Sequence, residues 1–193
     1  MSGHLFIIDG DITQLSCDAW LLPSDHDGWV TKHFAEAIGL VGEAHLDLDA
    51  WPDNGMILHT AGTGREPDIW IGDVGRSGLT DLNHYGDRAS AFIASAASRI
   101  EQKRSDLGRA PLLALPVIGS DAGGGRSRRG DLLATLNLAI ATQLENTQYA
   151  DVYENIVQDN TGGLVVFDLP GNPVIGRDVK IHNNTITDNN RAN

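Results

Sequence analysis

The sequence predicts an α/β domain with a largely parallel sheet covered by helices, followed by a short β-solenoid-like segment. Three observations point there. Short apolar runs alternate with segments of helical periodicity over the first 150 residues. Two of those runs empty into glycine-bearing turns, Gly10-Asp11-Ile12-Thr13 and Gly119-Ser120-Asp121-Ala122-Gly123-Gly124-Gly125. Past Ala150 the composition changes: residues 1–150 hold four asparagines and residues 151–193 hold eight, while all four tryptophans lie in the first part. The chain is therefore read as two regions of different origin, 1–149 and 150–193.

The elements follow in order. Leu5–Ile8 and Ala19–Leu22 read as strands, and Val30–Ile38 as a helix with Phe34 and Ile38 four apart. Met56–His59 and Ile69–Ile71 are short strands. Leu82–Lys103 is an Ala-rich helix with Ala89, Phe92, Ile93, Ala96, Ala97 and Ile100 on one face. Leu112–Ile118 is a strand, and Leu132–Leu144 a helix with Leu133, Leu136, Ile140 and Leu144 at helical spacing. In such sheets ligands bind beyond the carboxyl ends of the strands, where both glycine-bearing loops emerge. Glycines let backbone N–H groups approach a phosphate closely, which points to a nucleotide or nucleotide sugar.

Charge and cysteine content narrow the function. The formal net charge of −12 argues against a nucleic-acid surface. An anionic ligand would rely on local N–H dipoles. Cys17 is the single cysteine, so an internal disulfide and multi-thiolate zinc sites are excluded. His4, His33, His45, His59 and His84 lack metal-ligand spacing, and neither metal nor cofactor is expected. No basic stretch followed by a long apolar run opens the chain, so no signal peptide or membrane span is expected and the cytoplasm is the default location. Asp25-His26-Asp27 has the look of an acid/base cluster, although such runs are commonly polar loops. Arg126, Arg128 and Arg129 sit at a helix start, where the dipole disfavours cations, which invites an anion partner.

Residues of about 3–148 resemble a macro domain, the ADP-ribose-binding fold. The resemblance is carried by Gly10-Asp11-Ile12-Thr13, by Cys17-Asp18-Ala19-Trp20-Leu21-Leu22-Pro23-Ser24-Asp25, and by Leu115-Pro116-Val117-Ile118-Gly119-Ser120-Asp121-Ala122-Gly123-Gly124. The family patterns are G-D-I-T, D-A-I-V-N-A-A-N and L-P-x-I-S-T-G-x-x-G. The variant is similar to macro-like modules found beside sirtuin-like domains. The resemblance implies a three-layer α/β/α sandwich that binds ADP-ribose or another NAD-derived nucleotide, free or on an ADP-ribosylated protein.

Carried over position by position, Asp11 would accept the adenine amino group and the Ile12 backbone would seat the base. Asp25 would lie near the distal ribose and Gly28, Trp29 and Val30 in the first phosphate loop. Gly119, Ser120, Asp121, Ala122, Gly123 and Gly124 would wrap the diphosphate. Leu22 stands where the family has its first Asn, Thr31 where hydrolysing members carry an Asp, and only Gly28 remains of a glycine run. These departures favour binding over hydrolysis. An ADP-ribosyl hydrolase with Asp25 placing a water is the alternative. The closing strand and helix of the fold also look missing after Leu144.

The tail resembles parallel β-helix repeat proteins. The resemblance is carried by Asn160-Thr161-Gly162-Gly163-Leu164-Val165-Val166-Phe167-Asp168-Leu169-Pro170 and by 179–190. Asn155-Ile156-Val157-Gln158-Asp159-Asn160 recurs 29 residues later as Asn184-Thr185-Ile186-Thr187-Asp188-Asn189. A gene fusion or an assembly artefact would explain both the missing closing strand and the tail's abrupt start, and a third reading is a structural or carbohydrate-associated β-helix protein whose N-terminal region is incidental. Truncation after Tyr149 is then expected to leave ligand affinity nearly unchanged.

Overall fold

The computed structural model describes residues 4–62, 66–76, 81–103, 109–120, 125–146, 151–155 and 165–166. Strands β1 (Leu5–Ile8), β2 (Ala19–Ser24), β5 (Met56–Thr60), β6 (Asp68–Asp73), β7 (Leu112–Pro116), β8 (Asp151–Asn155) and β9 (Val165–Val166) form one sheet in the order β5-β6-β2-β7-β8-β1-β9. From β6 to β1 every neighbour is parallel; β5 and β9 pair antiparallel at the edges. A second sheet is the hairpin of β3 (Trp29–Val30) and β4 (Ala44–His45). The mixed α/β architecture with a mostly parallel sheet is as the sequence leads one to expect.

Alternation of side chains along the strands builds two cores. Ala19 and Leu21 of β2 face the same side as Leu113 and Leu115 of β7 and Leu5 and Ile7 of β1. That side is covered by α2 (Asn83–Lys103) and α3 (Arg129–Asn146). α2 buries Tyr85, Ala89, Phe92, Ile93, Ala96, Ala97 and Ile100, and α3 buries Leu132, Leu136, Ile140 and Leu144. Each set recurs every three or four residues and so forms one stripe. Gly86 lets the helices approach: a Cβ there would lie 3.1 Å from the Ala139 Cβ.

The opposite face is covered more thinly, by the six-residue helix α1 (Lys32–Ala37) and the β3–β4 hairpin. Leu22 is fully buried there in a cluster with Ile12, Cys17 and Ala114, against which Phe34 and Ile38 pack. An apolar side chain at this position is thus part of the core beneath α1.

Two buried carboxylates fasten the amino ends of the strands. Asp18 accepts from Arg109 through both guanidinium nitrogens, at 2.6 and 3.1 Å, and from the Leu112 amide at 2.8 Å. Asp68 accepts from Arg99 at 2.8 Å, Lys103 at 3.0 Å and the Gly62 amide at 2.7 Å. Each charge is paired and hydrogen-bonded, the condition under which a buried carboxylate is tolerated.

The sheet runs past the boundary at residue 149. β8 lies between β7 and β1, with Leu113 and Leu5 both in register with Val152. The strand expected to be missing is therefore supplied by Asp151–Asn155. Composition misled because a parallel strand needs only a short extended segment, whatever the asparagine content of the residues beyond it. Apart from β8 and β9, residues 150–193, with the asparagine repeat beyond Asn155, lie outside the described residues. Truncation after Tyr149 is accordingly expected to abolish cooperative folding by opening a gap in the sheet. A chain ending at Val166 should keep a thermal transition; circular dichroism melting of both tests this.

Candidate functional site

Because β1, β2, β6, β7 and β8 run parallel, the loops that follow β1, β2, β6 and β7 leave the same edge of the sheet. The order reverses at β2 and β7. The connection after β2 carries α1 across one face, and that after β7 carries α3 across the other. A crevice at such a switch point is where open α/β sheets receive ligands. Residues 25–28 and 117–120 flank it.

At the end of β1, Asp11 caps a single 3₁₀ turn, Ile12–Gln14. Its Oδ1 accepts from the Thr13 amide at 2.9 Å and the Thr13 hydroxyl at 2.8 Å, and lies 3.1 Å from His33 Nε2. His33 is the second residue of α1, so the contact ties the β1 loop to the start of that helix. Partial burial pushes the Asp11 carboxyl up, but the hydrogen bonds from Thr13 and His33 outweigh it and hold it below its ordinary value. Ile12 is buried beneath the turn.

After β2 the chain makes a tight loop. Asp25 Oδ1 accepts from the Trp29 amide at 2.7 Å, and the Asp25 carbonyl accepts from Gly28 at 3.1 Å. The buried Ser24 hydroxyl donates within the same loop, to the Trp29 carbonyl at 3.1 Å. Gly28 takes φ +88°, and its carbonyl accepts from the Leu46 amide at 2.9 Å. Asp25 is thus a turn-former with one oxygen committed. Trp29 is half exposed, edge-on to His45 at 5.0 Å, whereas Val30 is fully buried among Ala35, Leu46 and Ile71. Of the Gly28–Val30 stretch, the indole is the side chain offered to solvent.

After β7, Gly119 has φ +79° and lies over the Tyr85 ring; a Cβ there would fall 2.3 Å from a ring carbon. The Gly119 carbonyl accepts from Gly125 at 2.9 Å, which brings the two ends of the loop together. Asp121, Ala122, Gly123 and Gly124 lie outside the described residues. Of the arginines beyond the loop, Arg128 pairs with Asp131 at 3.2 Å, and Arg129 reaches the Ser120 carbonyl at 3.5 Å. Arg128 thus meets a carboxylate in the first turn of α3.

Sequence reasoning missed Asp73. It ends β6, is buried, and faces His26 of the β2 loop, with His26 Nδ1 3.0 Å from Asp73 Oδ2. Its Oδ1 accepts from the Gly75 amide at 2.7 Å. The Asp73 carbonyl accepts from Arg88 at 3.1 Å and lies 3.2 Å from His84 Nε2. His26 is held from the other side: its amide donates to the Gly75 carbonyl at 3.2 Å, and its carbonyl accepts from Trp51 at 2.8 Å. The available signal was an aspartate between glycines at a strand end, Gly72-Asp73-Val74-Gly75. The histidine it meets is 47 residues away.

Cys17 is buried under α1, and burial pushes its thiol up to about 12. It is a small core residue, not a nucleophile. Among the described residues no group of three or more His, Cys, Asp or Glu could hold a metal ion, and no helix is long and apolar enough to cross a membrane.

No protein-family model matches the sequence, and no curated protein matches it. Among solved structures, the macrodomain of DarG from Thermus aquaticus aligns over 80% of this chain and 99% of that one, with 15% identity and a TM-score of 0.49.

Two outcomes are expected from this geometry. Gly119→Ala should destabilise the protein by about 1–3 kcal/mol or more, since it adds left-handed strain to a clash with Tyr85; denaturant unfolding reads it. Cys17 should resist thiol labelling in native buffer and react at once in denaturant, as measured by absorbance of the released thiolate reporter.

Proposed function

We propose that this chain binds ADP-ribose or a related NAD-derived nucleotide at the carboxyl ends of its parallel strands. The observation that carries this reading is the placement of the loops. The three segments that resemble the macro-domain motifs, after β1, β2 and β7, share one edge of the sheet, and two of them flank its switch point. β1 lies three strand spacings from β2, about 14 Å. That separation suits a ligand with two ends joined by a diphosphate.

In this reading Asp11 takes the adenine amino group on Oδ2, since Oδ1 is occupied by Thr13 and His33. A carboxylate held below its ordinary pKa stays an acceptor at neutral pH. Trp29, exposed at the mouth of the β2 loop, offers a face on which a ring can stack. The resemblance assigns the diphosphate to the segment that begins at Gly119. In a chain of net charge −12, local N–H dipoles are what an anion would have to rely on.

Binding, not hydrolysis through Asp25, is the function favoured. Asp25 Oδ1 is spent on the Trp29 amide, and Thr31 at the start of α1 carries no carboxylate. Calorimetric titration with ADP-ribose, NAD and AMP tests the reading. ADP-ribose should bind, and Asp11→Ala should weaken it by about 1–3 kcal/mol, the loss of one hydrogen bond to a charged group. Absence of heat and of any melting shift at millimolar ADP-ribose would refute the assignment.

A further inference from the structure

We propose that the open edge of β4 docks an extended polypeptide segment rich in lysine or arginine, which pairs with it as a third strand of the hairpin. The inference stands apart from the nucleotide reading and needs no nucleotide to be bound.

The β3–β4 hairpin has two edges, and the chain fills one of them. Trp29 turns its amide and carbonyl away from β4. Asp25 Oδ1 accepts from that amide at 2.7 Å, and the Asp25 amide and Ser24 hydroxyl donate to that carbonyl, each at 3.1 Å. On β4 the Leu46 amide donates to the Gly28 carbonyl at 2.9 Å, and Ala44 is the register partner of Val30. Residues of an antiparallel strand bond inward and outward by turns. His45, opposite Trp29, therefore aims its amide and carbonyl away from β3. No described residue bonds to either. A free amide and carbonyl on one residue of an edge strand are what an added strand takes up.

The side chains say which strand fits. Residues 43–49 alternate: Ala44, Leu46 and Leu48 pack into the cluster beneath the hairpin, while Glu43, His45, Asp47 and Asp49 are exposed. No described cation pairs with Glu43, Asp47 or Asp49. Glu36 of α1 and Asp27 of the β2 loop, on either side of the hairpin in sequence, do have partners, Lys32 and Arg76. Four large apolar side chains are exposed among the described residues, and three of them, Trp29, Leu40 and Val41, belong to the hairpin or to the connection between its strands. Such a concentration marks a contact surface. Lysine or arginine at alternate positions of the docked segment meets the carboxylates, and its stem or charge can lie on the half-exposed Trp29 ring.

A second copy of this chain is the poorer occupant. Two-fold pairing of β4 with itself about His45 would set Glu43 of each copy against Asp47 of the other, and like charges directly opposite are destabilising. Two chains of net charge −12 also repel at long range.

The test measures fluorescence anisotropy of labelled peptides of about ten residues with the full chain. Lysine alternates with valine, threonine, leucine or phenylalanine in one set, and glutamate replaces the lysine in the other. Sedimentation velocity follows the protein alone. Lysine peptides should bind, more weakly as salt rises, and glutamate peptides should not. Glu43→Gln and Asp47→Asn should each weaken binding about two- to fivefold. His45→Pro removes the outward amide and leaves the bonds to β3, and should weaken binding about two- to tenfold. Methylating every second amide of the peptide serves even where the proline variant does not fold: one register of methyl groups should abolish binding, and the other should spare it.

Absence of binding by every lysine peptide overturns the proposal. So does equal binding of the glutamate peptides. Binding indifferent to both methylation registers reduces the contact to diffuse charge attraction and overturns strand pairing. A dimer of wild-type protein that His45→Pro dissolves gives the edge to a second copy instead and overturns the proposal as well.

Discussion

Parallel pairing of β2 with β6 on one side and β7 on the other is the constraint on which the rest depends. Parallel neighbours cannot be joined by a tight turn; each needs a crossover. The crossovers carry the helices, and so decide which face each helix covers. They also force every loop after a parallel strand to one edge. Had β2 and β7 run antiparallel, residues 25–28 and 117–120 would lie at opposite edges of the sheet.

The two edges of the sheet use charge differently. At the amino edge, Asp18 and Asp68 are locked by guanidinium and ammonium groups. At the carboxyl edge, Asp73 faces a histidine, and Asp11 faces another. Permanent pairs hold the fold where nothing need change. The histidine-paired carboxylates stand at the edge from which the loops after β1, β2, β6 and β7 leave. Asp11 adds to native stability only while ionised. Its folded pKa is lowered, so that contribution is present at neutral pH and is lost as pH falls through the lowered value. Its exposure keeps the effect small.

Much of the fold was legible because burial imposes a period. The stripe of α2 was read from sequence at Ala89, Phe92, Ile93, Ala96, Ala97 and Ile100, and that of α3 at Leu136, Ile140 and Leu144, with Leu132 buried where Leu133 was expected, since a helix packed on a sheet must show apolar residues every three or four positions. The glycine-bearing loops were legible because Gly119 needs a positive φ that other residues resist. The β3–β4 hairpin was not: two residues per strand leave no alternation to read, and Val30 was absorbed into the helix beginning at Lys32. Antiparallel β5 could not be told from a parallel strand by its own residues. β8 was hidden by the composition around it. At the candidate site, Asp11 follows β1 and Trp29 opens β3 after the β2 loop. The pairing of His26 with Asp73 joins two segments 47 residues apart and exists only once β2 and β6 lie side by side.

The position of β8 has a consequence for synthesis. Its slot between β1 and β7 is filled by residues 151–155, some 140 positions after β1 has left the ribosome. Until then two parallel edges face each other across an open gap with unpaired amides and carbonyls, the kind of surface that recruits strands from other chains. Closure must also recover the loop entropy of that long separation, which makes the last step of assembly slow. A nascent chain of this protein is therefore most exposed to aggregation in the interval before Asn155 emerges, and a chaperone that shields strand edges would act there.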